Sequence, residues 1–271
     1  MSDRYLQRQE APFGDKVWQS IDEAVAGAAR SILTGRRLLH VEGPYGLGFK
    51  SLESEEVLLG DEAAEGVRLY ASCPAAVIRI QAGFTLAARD IAAFEQTGAP
   101  LSLGSAARTA LACARQEDAL LFYGSETMGL RGLMNFPGVL SSGLRPWDSV
   151  GAAAEDILSA ATRLDDAGFH GPFALALAPK RYYLLLRLYP QGTQTELEHV
   201  GRIVTEGIVK APALSEGGLL LNAGRQFASI VLGQDLMTSF IGPEDGGYQL
   251  GISETVALRL TRPAAFCVLT G

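Results

Sequence analysis

With 271 residues, 48% of them hydrophobic and 20% charged, the chain can bury one large core or two modest ones. A formal charge of −7, with only the local basic pairs Arg36–Arg37 and Lys180–Arg181, argues against nucleic acid and against a membrane surface, both of which ask for a basic face. No apolar run approaches the roughly 20 residues that span a bilayer, and the leading MSDRYLQRQEAPFGD has no apolar signal core, so a cytoplasmic location is expected.

Residues 1–14 read as an arm that needs a partner surface to order it. Asp15 can cap a helix to about Leu33, with Trp18, Ile21, Val25 and Ile32 on one stripe and Gly35 as its stop. Arg36–Val41 is expected as a short strand leading into Glu42-Gly-Pro-Tyr-Gly-Leu-Gly48. That segment lacks the Walker Lys-Ser/Thr ending and the GxGxxG order, so it reads as a turn and not a phosphate cradle. Val57–Leu59 and Val67–Tyr70 are predicted to be the arms of an extended hairpin, with Gly60-Asp61 and Gly66 in an irregular tip. Six acids (Glu53, Glu55, Glu56, Asp61, Glu62, Glu65) and few large apolar groups make this a projection that is either solvated or laid against another subunit. Ala76–Leu86 alternates as a strand, with Ile78, Ile80, Ala82 and Phe84 on one face, and a helix over Asp90–Thr97 stops at Gly98.

A long buried helix is expected from about Leu103 to the acidic pair Glu117–Asp118, with Leu103, Ala107, Ala110, Leu111, Ala114 and Leu121 on one face. Small residues at Ala110, Ala112, Cys113 and Ala114 keep it slim, and a glycine-studded turn leads on to Leu130, Gly132 and Leu133. Trp147-Asp148-Ser149 caps a helix to about Ala167, with Ile157, Leu158, Ala161 and Leu164 inward. Phe173–Leu177 is a buried strand. Pro179 opens a helix carrying Tyr182, Tyr183, Leu186 and Tyr189, a polar loop follows at 190–194, and another helix passes through Val200 and Ile203. Short strands are expected at Ile208–Lys210, Gly218–Leu221, Phe227–Leu232, Leu236–Ile241, Thr255–Thr261 and Ala265–Leu269. The pattern is α+β, with the first and last thirds sharing one sheet.

Catalytic signatures are absent from this pattern: there is no GxSxG and no HExxH, and His40, His170 and His199 lie far apart. Cys73, Cys113 and Cys267 are isolated, without CxxC spacing, and read as reduced packing cysteines, so neither a metal nor a cofactor is expected. Glu117 and Asp118 are adjacent and point about 100° apart on a helix, so they cannot both aim at one bond. Pairing with Arg115 or Arg131 is favoured over acid–base catalysis.

Several short motifs stand in order along the chain: Ala11-Pro12-Phe13 with Trp18 and Ile21-Asp22, Gly35-Arg36-Arg37, and Val41-Glu42-Gly43-Pro44-Tyr45-Gly46. Further along come Glu117-Asp118, Phe122-x-Gly124, Gly132-Leu133, Leu232-Gly233-Gln234-Asp235-Leu236 and Ile252-Ser253-Glu254-Thr255. In order and spacing they resemble one family, the encapsulins (linocin-type shell proteins, family 1). The resemblance implies the fold of tailed-bacteriophage (Hong Kong-97-like) capsid proteins. It implies an N-terminal arm and helix over 1–48, an extended loop over 49–75, a peripheral domain over 76–133 and 226–271 with the spine helix, and an axial domain over 134–225. The implied function is compartmentalisation. Copies of the chain would close into an icosahedral shell of sixty subunits or a larger multiple, around a ferritin-like or peroxidase cargo enzyme docked by a C-terminal targeting peptide.

By the same resemblance, the peptide groove would involve Val25, Ala29, Leu33, Arg36, Leu38, Gln234, Asp235 and Met237, with Arg36 as its basic group. Gln191, Gly192, Thr193, Gln194 and Thr195 would line an uncharged polar pore. The position where some relatives carry a flavin-binding tryptophan is Arg89 here, so flavin is not expected. Two rivals stay open at this point: a phage-type capsid protein packaging DNA, opposed by the net negative charge, and a small α+β enzyme using Glu117 and Asp118.

Overall fold

The computed structural model describes residues 3–53, 56–58, 67–72, 74–190 and 192–271. Glu55, the expected hairpin tip at 59–66, Cys73 and Gln191 lie outside them. The N-terminal arm finds its surface on its own chain. A single turn, α1 (Asp3–Leu6), buries Leu6, and the Arg8 guanidinium sits 4.4 Å over the Trp18 ring while donating to Asp22 and Thr238. Phe13 packs with Trp18, Phe240 and Tyr248. The arm is therefore ordered without the partner that its sequence suggested.

Helix α2 (Asp15–Arg30) buries Val17, Trp18, Ile21, Val25 and Ala29. It ends before Leu33, and Gly35 opens a second short helix, α3 (Gly35–Leu38), instead of stopping the first. Arg36 and Arg37 are thus helical, and the strand expected over 36–41 shrinks to β1 (His40–Glu42). Next come β2 (Ser51–Leu52), β3 (Glu56–Leu58), β4 (Tyr70–Ser72) and β5 (Ala75–Ala76). Val57 pairs with Ala71 and Ser51 with Ala76 in an antiparallel hairpin. The two arms pair as expected, but the return arm is Tyr70–Ser72 and not Val67–Tyr70.

Strand β6 (Ile78–Ala87) alternates in burial, with Ile80, Phe84 and Leu86 inward. Helix α4 (Ala88–Thr97) closes on Gly98 at φ 70°. The spine, α5 (Gly104–Tyr123), runs through Glu117–Asp118 to Tyr123 and does not end at the acidic pair. Its deepest apolar face carries Ala106, Ala110, Cys113, Ala114, Leu121 and Phe122, while Ala107 and Leu111 sit half-buried at the margin. Two short strands, β7 (Gly124–Ser125) and β8 (Leu130–Arg131), form the turn beyond it, followed by β9 (Leu140–Gly143).

Helix α6 (Ala152–Asp166) buries Ile157, Ala161 and Leu164 as expected, but leaves Leu158 54% exposed. Strand β10 (Phe173–Leu177) is fully buried, and α7 (Pro179–Leu184) ends before Leu186 and Tyr189. Then come α8 (Glu196–Val200), β11 (Ile208–Lys210) and β12 (Gly218–Asn222). The two strands expected over 227–241 are one: β13 (Ala228–Glu244) pairs with β14 (Gly247–Leu260) across register shifts near Gln234 and Phe240. A bulge interrupts the apolar alternation without breaking the ladder, so one strand reads as two in sequence. The chain ends on β15 (Phe266–Thr270).

A four-stranded sheet, β1-β13-β14-β6, joins the first and last thirds of the chain, and α5 lies across its β6 and β14 strands with α2 packed on α5. A five-stranded sheet, β11-β10-β12-β15-β9, carries α6. The last strand thus leaves the expected peripheral segment 226–271 and completes the sheet of the middle segment. Strand β10 shows how the two parts join: Ala174 and Ala176 face the main core, while Phe173, Leu175 and Leu177 face the α6 core. Leu121, fully buried at the end of the spine, tests this packing. Leu121→Ala is expected to lower unfolding free energy by about 2–5 kcal/mol in urea titration.

Candidate functional site

The acidic pair on the spine is used, but not by Arg115 or Arg131. Asp118 sits at the start of α3 and accepts the amide N–H groups of Thr34 (2.8 Å) and Gly35 (2.9 Å). This satisfies donors that a helix start leaves open, and it explains why Arg36 is helical. Gly35 has to be small: a Cβ there would lie 2.6 Å from Leu121 Cδ1. Burial raises the Asp118 carboxyl above its ordinary range, and the two amides pull it back.

Glu117, one position earlier, takes Arg36 in a two-pronged pair at 2.8 and 2.7 Å. The same guanidinium donates to Glu254 of β14 (2.8 Å) and to Asp235 beside the β13 bulge (2.7 Å). Burial works against its charge, but Glu117 and then Asp235 outweigh that and hold Arg36 firmly protonated. Arg36, expected as the basic group of a peptide groove, meets three carboxylates of its own chain.

Most other expected groove residues are covered within the chain. Val25, Ala29, Leu33, Leu38 and Gln234 are each exposed by 6% or less. Val25 and Leu38 belong to the main core, and Gln234 turns its amide onto Ser253. Ala29 and Leu33 pack with Ala114, flanked by half-buried Ile32 and Leu236. The accessible line along the seam between the end of α2 and β13 is therefore Ile32, Leu236, half-buried Met237 and the exposed Asp235. Sequence periodicity placed Ile32 on the core stripe, whereas α2 ends at Arg30 and frees it from that stripe. The early end of the helix is the signal that was missed.

The loop expected to line a pore leaves Gly192 and Thr193 exposed and Gln194 half-buried. Its ends are closed by Tyr189 N–H to Gln194 C=O (3.1 Å) and a bridge between Leu188 and Thr195. Thr195 is occupied as the cap of α8: its hydroxyl accepts Glu198 N–H while its own N–H donates to the Glu198 carboxylate. Those bonds from Thr195 lower the Glu198 carboxyl. Buried Glu196 anchors the loop base by accepting the amides of Gly151 and Ala154. The glycine-rich turn is stitched to the sheet, with Tyr45 N–H on Leu232 C=O and Gly46 N–H on Gly233 C=O. The amides of Tyr45 and Gly46 are thereby used within the protein, as a turn's are.

The histidines do not converge: His199 meets Tyr189 (2.7 Å), His170 meets Asp165 (3.2 Å), and His40 is exposed on β1. Among the described residues no group of three or more His, Cys, Asp or Glu could hold a metal ion, and no helix is long and apolar enough to cross a membrane. Cys113 and Cys267 are free and buried, and burial pushes both thiols up to about 11. The weight of the Asp118 cap is measurable. Asp118→Ala, which orphans two buried amides, is expected to cost about 1–3 kcal/mol in urea unfolding, and Asp118→Asn less.

Comparison with known proteins bears on this arrangement. The profile of the linocin M18 family, described as encapsulating protein for peroxidase, matches residues 2–257. The chain is 30% identical to the type 1 encapsulin shell protein EncA of Myxococcus xanthus, over 98% of this chain and 96% of that one. Its fold matches the virus-like particle of Pyrococcus furiosus with a TM-score of 0.74 at 20% identity, covering 93% of this chain and 99% of that one. The capsid of Myoviridae phage XM1 matches with a TM-score of 0.61 at 14% identity, over 89% and 92%. These structural likenesses establish the Hong Kong-97-like α+β capsid fold, and the family profile, spanning nearly every element from the arm to β14, goes further: the chain belongs to the encapsulin (linocin-type) family of shell proteins.

Proposed function

We propose that copies of this chain close into an icosahedral shell, of sixty subunits or a larger multiple, that encloses a cargo enzyme in the cytoplasm. The observation that carries this reading is the family match over residues 2–257. Apolar side chains left on projecting elements support it. On the hairpin, Val67, Leu69 and Tyr70 are each more than half exposed, and on the middle segment Tyr183, Leu186 and Leu188 are exposed beside the expected pore loop. Such groups bury area only against another copy. The hairpin within 49–75 then acts as the extended loop. Residues 76–133 and 226–260 form the peripheral domain, and 134–225 with β15 form the axial domain.

In this reading the chain is a container and leaves catalysis to its contents. A peroxidase is the cargo class that the family description names, with a ferritin-like enzyme as the other candidate. A C-terminal targeting peptide of the cargo docks on the seam at Ile32, Leu236 and Met237, with Asp235 at its rim, and alternate apolar side chains provide the anchors. Gln191–Thr195 supply an uncharged polar rim through which small solutes pass. A DNA-packaging capsid is not favoured, since the phage likeness is one of fold alone and the chain carries a net −7.

Native light scattering and negative-stain microscopy test assembly: megadalton particles are expected, and a monomer or small oligomer refutes the shell. Leu69→Asp with Tyr70→Asp is expected to release small oligomers whose circular dichroism matches the parent. Leu236→Asp is expected to leave shells intact while cargo-peptide affinity falls about tenfold or more, read by fluorescence anisotropy. Unchanged affinity would move the docking site elsewhere.

A further inference from the structure

Between α3, α5, β13 and β14, one guanidinium answers three carboxylates: Arg36 meets Glu117 and Glu254, which are 0% and 1% exposed, and Asp235 at the surface. Asp118 adds a fourth carboxylate from α5, met by the amides of Thr34 and Gly35, and the charge of Glu254 also bears on the Cys113 thiol of the same helix. Two buried glutamates, both ionised against a single cation that also serves Asp235, leave an uncompensated negative charge in a low-dielectric interior. Glu254 Oε1 has no hydrogen-bond partner among the described protein atoms, so one oxygen of the pair is free to carry a proton.

We propose that Glu254, held beside Glu117 on the guanidinium they share, keeps a proton in the folded chain, and that this proton is a latch keeping Arg36, and with it the Asp235 end of the seam, in place. With the proton bound, the pair carries one negative charge, which Arg36 balances. When the proton leaves to hydroxide as pH rises, the pair carries two, and Arg36 is drawn inward. Its bond to Asp235, the partner exposed to water, then gives way first. Burial, followed by the charge of Glu117, pushes Glu254 up to about 9, which sets the direction of the linkage. The folded chain keeps a proton that the unfolded chain releases near the ordinary carboxylate range. Stability from this pair therefore falls as pH rises from about 4.5 to about 9, and then levels. The latch is a property of the single chain, so it stands or falls separately from the shell reading.

Urea unfolding of the parent and of Glu254→Gln, from about pH 6 to about pH 9.5, tests it. The folding constant of the parent is expected to fall more steeply, by up to about tenfold per pH unit, because the amide cannot ionise. Infrared spectra of the parent are expected to show a protonated carboxyl at neutral pH that is lost at alkaline pH. Hydrogen exchange of 234–237, corrected for its intrinsic pH dependence, is expected to accelerate about tenfold or more over the same range in the parent only. Parallel unfolding profiles, no protonated carboxyl at neutral pH, or equal exchange in parent and variant would each overturn the proposal. Should Glu254→Gln fail to fold, Glu117→Gln carries the same comparison, and loss of the infrared band in the variant assigns it to this site and not to Asp118.

Discussion

Arg36 ties together the parts of this chain that are furthest apart in sequence. Its guanidinium reaches the spine at Glu117, the long sheet at Glu254 and the bulge at Asp235. The adjacent Asp118 fixes the helix on which Arg36 rides. A buried ion cluster of this kind adds little net stability over an apolar equivalent, because desolvation offsets much of the attraction. What it does impose is register: only one placement of α3 against the spine and sheet satisfies the two-pronged pair and both amides.

That register has consequences along β13. Gly233, at the bulge, leaves no room for a side chain, since a Cβ would lie 2.4 Å from Thr255 Oγ1. The glycine-rich turn at 43–48 is bonded to the same place. The bulge aims Asp235 at Arg36 while Gln234 points to Ser253 on the other side. Sheet, turn and ion cluster thus meet within a few residues of the seam at Ile32 and Leu236. A rigid frame beside a partly open apolar line suits recognition of an extended peptide, because the host gives up little conformational freedom on binding.

The rest of the molecule divides its apolar surface in a way that suits an assembling subunit. The core is shared between the two sheets through the opposite faces of β10, so the body is well buried by itself. The hairpin and the end of α7 nevertheless keep large apolar groups in the open. A chain that had only to be a stable monomer would gain by making these positions polar. In the proposed shell these positions would lie against neighbouring copies.

Much of this was legible in the sequence. Period-two alternation marked β6, the run FALAL marked β10, Gly98 marked the end of α4, and spaced motifs along the chain pointed to the encapsulin family. Local chemistry dictates each of these, through side-chain alternation, chain entropy at glycine and capping. The partners of Glu117 and Asp118 were not legible, because Arg36 lies 81 residues from Glu117 and Glu254 comes from the far end of the chain. For the same reason Val25 and Leu38 resembled groove residues until packing placed them in the core. Sequence alone determined most of the elements, the family and the acidic character of the chain, with no apolar run long enough for a membrane-spanning helix. Tertiary structure decided which charges are spent internally and which apolar groups stay open, since burial and ion pairing depend on what long-range folding brings together.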